Sequence, residues 1–250
     1  MTILTSQLPS GGVGYNFSSV SVSPMTFLEV TKYMENVPED PLEKYLFDIE
    51  NLVREDENIY DCYVMDVDFL IFYKKLNTVS SDLNYTVTMT CPDCGNTIKK
   101  TVNLEKDIRF KGIDEKVMGG AFIELNEHKY EVQVPTVRTF MEVLNVYLRV
   151  RKIEDLKMIK TISLIKNFKY QGNQIEDDVL GAKHEDITLL MALQELYFDR
   201  VEPIEFVCNH CKNEKGERRR VMGSINTLPI DFFRDICTNC PINAAKIVFK

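Results

Sequence analysis

The sequence predicts an α+β fold: two helical blocks, each followed by a zinc-knuckle β-hairpin, with the hairpins paired around a structural zinc. Three observations predict it. Apolar residues recur at helical spacing in two separate stretches, and each stretch gives way to alternation of apolar and polar residues. Six of the seven cysteines fall into three C-x-x-C pairs, where random placement would give roughly 0.2. The 250 residues are 44% apolar and 27% charged, a globular balance that excludes wholesale disorder and a small disulfide scaffold.

Residues 1–15 read as an extended arm ending in Gly11-Gly12-Val13-Gly14, with a short strand to follow at Val20-Ser21-Val22. Thr26, three residues before Glu29, forms a capping box, so a helix starts there and stops before Pro38. A second helix fits 41–53, with Leu42, Tyr45, Leu46, Ile49 and Leu52 at helical spacing. A third is expected over 67–76, capped by Asp66. The first block ends near Ser81. Tyr85 to Thr90 then alternates as a half-buried strand and runs into Cys91-Pro92-Asp93-Cys94-Gly95. A second alternating stretch, 98–104, leaves the turn, which makes a hairpin with C-x-x-C at its tip. Further strands are expected at 121–125 and 130–134, joined by the polar turn Asn126-Glu127-His128-Lys129.

Pro135-Thr136 opens the second helical block. Phe140, Val143, Leu144, Tyr147 and Leu148 suit a helix of about four turns. Others are expected over 153–168 and 184–199, with Gly172 and Gly181 in the loop between them and Ile187, Leu190, Met191 and Leu193 striping the last. Strand character returns at Ile204-Glu205-Phe206-Val207, followed by Cys208-Asn209-His210-Cys211, a polar turn and a strand over 218–225. The chain thus repeats one order: helices, strand, C-x-x-C, strand. The third pair, Cys237 and Cys240, follows a short helical signal at 229–234.

A C-x-x-C at a hairpin tip brings two thiolates to one side of a tight turn. Gly95 suits the left-handed conformation that such a turn needs. Each knuckle supplies two ligands, and structural zinc takes four in a closed tetrahedron. The repeat pairs Cys91 and Cys94 with Cys208 and Cys211; the competing site is Cys208, Cys211, Cys237 and Cys240 at local ribbon-like spacing. His210 reads as a solvent-facing turn residue, His128 as a turn residue, His184 as a helix-start residue and Cys62 as a buried apolar one. A thioredoxin-like site needs a helix after its first thiol, whereas strand follows both knuckles here.

No catalytic constellation is legible: the sequence lacks a glycine-rich phosphate loop, a nucleophile elbow and H-E-x-x-H. Asp66 and Asp68, and Glu176-Asp177-Asp178, read as helix caps and solvated loops. A closed four-thiolate site leaves no open position for water, which points to structure rather than an enzyme and to no small-molecule substrate. The net charge of −8 disfavours nucleic acid, with Arg218-Arg219-Arg220 running against that average. Apolar runs such as 69–73 are too short to span a bilayer. The first residues lack the basic start and apolar stretch of a signal peptide, so a reducing cytosol is expected.

Several residues taken together carry a resemblance. Leu8-Pro9-Ser10-Gly11-Gly12 precedes Pro24-Met25-Thr26 and Glu29. Asp66-Val67-Asp68-Phe69-Leu70 follows, then Tyr85 leading into Cys91-Pro92-Asp93-Cys94-Gly95, and later Cys208-x-x-Cys211 and Asp231-Phe232-Phe233. This order resembles the baseplate hub assembly proteins of T-even-like contractile-tailed phages. The resemblance implies a non-enzymatic part in building the tail baseplate, with other tail and baseplate proteins as partners. It implies the host cytoplasm during assembly and the virion tail baseplate, as either a retained component or an assembly factor. Cys237 and Cys240 have no place in the family pattern.

The leading expectation is therefore a zinc-stabilised structural or assembly protein acting through protein–protein contacts. A zinc-ribbon nucleic-acid-binding regulatory protein and a thiol-disulfide enzyme are its competitors. The expected organisation is an arm over 1–15, a helical block with the first knuckle over 16–134 and a second block with its knuckle and tail over 135–250, joined as one compact unit by a shared metal. At least one of the two termini, the arm or the tail 244–250 with its apolar Val248-Phe249, is expected to dock on another tail protein.

Overall fold

Helices form where the sequence supplies caps, and each pair of alternating stretches folds back as an antiparallel hairpin, giving an α+β protein. The structure is a computed structural model that describes residues 1–78, 84–103, 105–113, 115–146, 156–166, 174, 177–179, 181, 184–198, 201–212 and 216–223. Cys237, Cys240, the helical signal at 229–234 and the tail 244–250 lie outside the described residues, as do Tyr147, Leu148, Gly172, Glu176 and the ends of the helix expected over 153–168.

The strands are β1 (Thr2–Leu4) with β2 (Ser19–Ser21), β3 (Asn84–Thr90) with β4 (Thr97–Asn103), β5 (Ala121–Leu125) with β6 (His128–Val132), and β7 (Ile204–Lys212) with β8 (Arg218–Gly223). The helices are α1 (Phe27–Asn36), α2 (Pro41–Val53), α3 (Val64–Thr78), the short α4 (Glu115–Met118), α5 (Val137–Val146), α6 (Leu156–Ser163) and α7 (His184–Tyr197). Among the described residues no helix is long and apolar enough to cross a membrane.

The helix starts follow local chemistry. Thr26 and Glu29 close the expected capping box on α1, the Thr26 N–H donating to the Glu29 carboxylate at 2.6 Å. Asp40 caps α2 by accepting from the N–H groups of Leu42 and Glu43, both at 2.9 Å, with Pro41 in the first turn. α3 starts three residues before its expected position, so Asp66 lies within the first turn and caps nothing. The β5–β6 turn is tighter than the four-residue loop expected. Asn126 and Glu127 alone make it, both at positive φ, and β6 begins at His128.

The chain divides into two compact units, each discontinuous in sequence. The larger comprises Met1–Ser23, Thr31–Ile71 and Gly112–Arg200. Its core joins Leu42, Ile49 and Leu52 of α2, Val67 and Leu70 of α3 and Phe140 and Val143 of α5, with Ile159 and Ile162 of α6, all buried. The segment expected as an extended N-terminal arm belongs to this unit. Ile3, Leu8 and Val20 are buried, β1 pairs with β2, and the Ser10 hydroxyl donates to Asp66 at 2.6 Å. The cause is the sequence Leu8–Gly14, which turns rather than extends: Gly14 sits at φ +83, where an added Cβ would lie 2.6 Å from the Tyr63 hydroxyl.

Three carboxylates read as caps or solvated loop residues are buried in this unit. Asp66 accepts from Ser10 and Tyr15, Asp68 accepts from Tyr45 at 2.6 Å, and Asp178 accepts from Tyr130 and pairs with His128 at 2.7 Å. Hydrogen bonds in place of water make that burial tolerable.

The smaller unit comprises Pro24–Val30, Phe72–Lys111 and Val201–Lys250, and holds both knuckles. Its core is Phe72, Ile98, Val102, Ile108, Ile204, Phe206 and Val221, joined by Cys91 and Cys208. Alternation explains which residues face in. Ile98 and Val102 of β4 lie four apart, and Ile204, Phe206 and Cys208 of β7 two apart, on the buried side, while Thr97 and Thr101 are exposed. Each fully buried side chain of this size contributes roughly 1.5–3 kcal/mol. β4 lies beside β7, and the Lys100 ammonium donates to the Glu205 carbonyl at 2.8 Å.

Candidate metal centre

The first knuckle forms at the tip of its hairpin. Cys91 follows the last residue of β3, its N–H donates to the Asn96 carbonyl at 2.8 Å, and the Gly95 N–H donates to the Cys91 carbonyl at 2.9 Å. Gly95 takes φ +71, the left-handed conformation expected of it. The second knuckle departs from the hairpin-tip picture. Cys208 and Cys211 lie within the far end of β7, where the register with β8 breaks between Val207 and Lys212, and the turn itself follows them. That irregularity does the work of the tip, because a regular strand would send residues three apart to opposite faces.

The structure brings the four predicted thiols together. Cys91, Cys94, Cys208 and Cys211 place their Sγ atoms within 4.8 Å of one another. Cys91 Sγ lies 3.6 Å from Cys211 Sγ, and Cys94 Sγ lies 3.7 Å from Cys208 Sγ. The first cysteine of each knuckle thus approaches the second of the other. These separations are far beyond a disulfide bond of about 2.05 Å. They match the edge of a thiolate tetrahedron, which at a metal–sulfur distance of about 2.3 Å is about 3.8 Å. The donor set fits zinc: four soft sulfurs are enough to close a tetrahedron.

The surroundings favour thiolates at some positions and resist them at others. The backbone N–H groups of His210 and Cys211 donate to Cys208 and hold its thiol down at about 7. The Asn96 N–H and side chain lower Cys94 in the same way. Loss of solvent and the neighbouring sulfurs push Cys211 up. Four clustered thiolates repel one another, and a divalent cation removes that conflict. Cys91 and Cys208 are buried against the apolar core, whereas Cys94 is exposed and Cys211 half-buried. An ion pair joins the first knuckle to β8: Arg219 Nε lies 2.6 Å from Asp93 Oδ2.

The other candidates fall elsewhere. His210 is exposed and outside the sulfur cluster, and His184 opens α7. Cys62 is fully buried in the larger unit, where loss of solvent and the Asp66 charge push its thiol far up. Among the described residues no other group of three or more His, Cys, Asp or Glu side chains is close enough to hold a metal. Sequence reasoning missed the buried aspartates; the Tyr residues that meet them at long separations carry no local pattern.

Compared with known proteins, this chain matches no family model, no curated protein and no solved structure.

Proposed function

We propose that this protein is a zinc-stabilised structural or assembly protein of a contractile phage tail baseplate, acting at the hub through protein–protein contacts. The observation that carries the structural half is the closed set of four thiols from two hairpins, within 4.8 Å of one another. Zinc in such a set has no vacant position at which to polarise a substrate or activate water, so its contribution is folding free energy. The metal ties residues more than a hundred positions apart into one unit. The baseplate setting rests on the motif order from Leu8-Pro9-Ser10-Gly11-Gly12 through Cys91-Pro92-Asp93-Cys94-Gly95 to the second knuckle.

The test is affinity isolation of the tagged protein from infected cells, with mass spectrometry of its partners and metal analysis of the same sample. Hub or other tail proteins together with about one zinc per chain are expected. Absence of the protein both from virions and from every complex of tail proteins would overturn the baseplate reading.

A further inference from the structure

The 30 basic and 38 acidic side chains of the chain divide unevenly. Among the described residues the larger unit has nine Lys and Arg against twenty-two Asp and Glu, whereas the knuckle unit has eleven against seven. The chain's negative average therefore conceals a unit of opposite sign. Four of its cations, Lys212, Arg218, Arg219 and Arg220, lie on the β7–β8 hairpin. Lys212 and Arg218 are direct cross-strand partners, and like charges in that relation repel. Arg220 follows on the same face as Arg218, its side chain 74% exposed and only 3.4 Å from the Glu205 carboxylate that shares this face. Val207, opposite Arg220, and Met222, opposite Glu205, leave apolar surface exposed between the charges.

β8 also pairs with β7 alone among the described residues, leaving its other edge free of a strand partner. Arginines on an edge strand prevent pairing with basic strands and select acidic ones. We infer that the free edge and outer face of β8 form a docking site for an extended segment of a partner protein with alternating acidic and apolar residues. Its backbone adds a strand to β8, its carboxylates meet Lys212, Arg218 and Arg220, and its apolar side chains cover Val207 and Met222. A nucleic acid fits this face less well, since it carries exposed aliphatic side chains and no aromatic ring for base stacking. The inference rests on the reading that the protein works through protein contacts, and names the chemistry of one such contact.

The experiment uses the zinc-loaded full chain and a fluorescein-labelled (Glu-Val)6 peptide, read by anisotropy. Binding at low salt, weakened about fivefold by a rise to 0.3 M salt, is expected. R218E/R220E should lose at least about tenfold in affinity with its zinc content unchanged, and R218Q/R220Q repeats the comparison if charge reversal disturbs the metal. The (Gln-Val)6 peptide should not bind, and a (Glu-Val)6 peptide with alternate amides N-methylated should bind several-fold more weakly. Failure of (Glu-Val)6 to bind, equal binding by the variants or by (Gln-Val)6, or indifference to N-methylation would overturn the inference. So would a labelled 20-nucleotide DNA strand that binds more tightly than the peptide and displaces it. Each of these outcomes leaves metal content and hub association, measured separately, to judge the proposed function.

Discussion

Ser10 grips Asp66 twice: its backbone N–H donates to one carboxylate oxygen at 2.9 Å and its hydroxyl to the other at 2.6 Å. Tyr15 adds a third hydrogen bond at 2.5 Å, and its oxygen in turn accepts the Tyr63 N–H at 2.7 Å. The N-terminal segment is thereby fastened to the first turn of α3. Replacing Ser10 with alanine removes one charge-assisted hydrogen bond from a buried carboxylate. A loss of about 1.5–3 kcal/mol in urea denaturation at neutral pH is expected. A change below about 0.5 kcal/mol would mean that water replaces the hydroxyl.

Asp66 also makes stability depend on pH. Burial raises its carboxyl to about 6, against the lowering effect of Ser10 and Tyr15. The folded state therefore holds this proton more tightly than the unfolded chain. That contribution is complete below pH ~4 and is lost as pH rises through ~6, a change of roughly 3 kcal/mol. Asp66→Asn does not titrate, so wild type should lose stability relative to it between pH 4.5 and 7.5. A constant difference across that range would refute the raised value.

A second buried charge has a cationic partner. Lys160 Nζ lies 3.7 Å from Asp68 Oδ2 and 4.6 Å from the centre of the Tyr45 ring, and Tyr45 donates to the same aspartate. Lys160→Met alone leaves a buried carboxylate without its cation and should cost about 3 kcal/mol or more, whereas Lys160→Met combined with Asp68→Leu should cost much less. Additive losses in that double-mutant cycle would show that the pair is not coupled.

The knuckle turn offers a smaller, local test. A Cβ on Gly95 meets nothing within 4 Å, so the cost of Gly95→Ala comes from its φ of +71 alone. About 1–2 kcal/mol is expected, or roughly tenfold in zinc affinity by competition with a chelator. Gly95→Asn should lose less, because asparagine tolerates the left-handed region. Equal affinity for all three proteins would show that the turn does not limit metal binding.

Local signals in this sequence are legible, and those that depend on distant partners are not. Pro41 behind Asp40, the Thr26–Glu29 box and the alternation of 121–125 each encode their structure within a few residues, and all three elements form. The repeat also points to four cysteines that lie close together in the structure. The burial of Asp66, Asp68 and Asp178 depends on partners 56, 23 and 48 positions away. Nothing near an aspartate in sequence announces a tyrosine or serine that arrives from another element. The N-terminal segment misled for the same reason: its few apolar residues, Ile3 and Leu8, suffice because they complete a core built elsewhere. Whole-chain charge concealed the basic knuckle unit because that unit is assembled from three separate segments.

The most direct test of the central claim is the zinc content of purified wild type, Cys91→Ser and Cys208→Ser, measured by native mass spectrometry. About one zinc per wild-type chain and loss of metal from both variants are predicted. Metal retained by Cys91→Ser but lost from Cys208→Ser would contradict the account and move the site to Cys208, Cys211, Cys237 and Cys240.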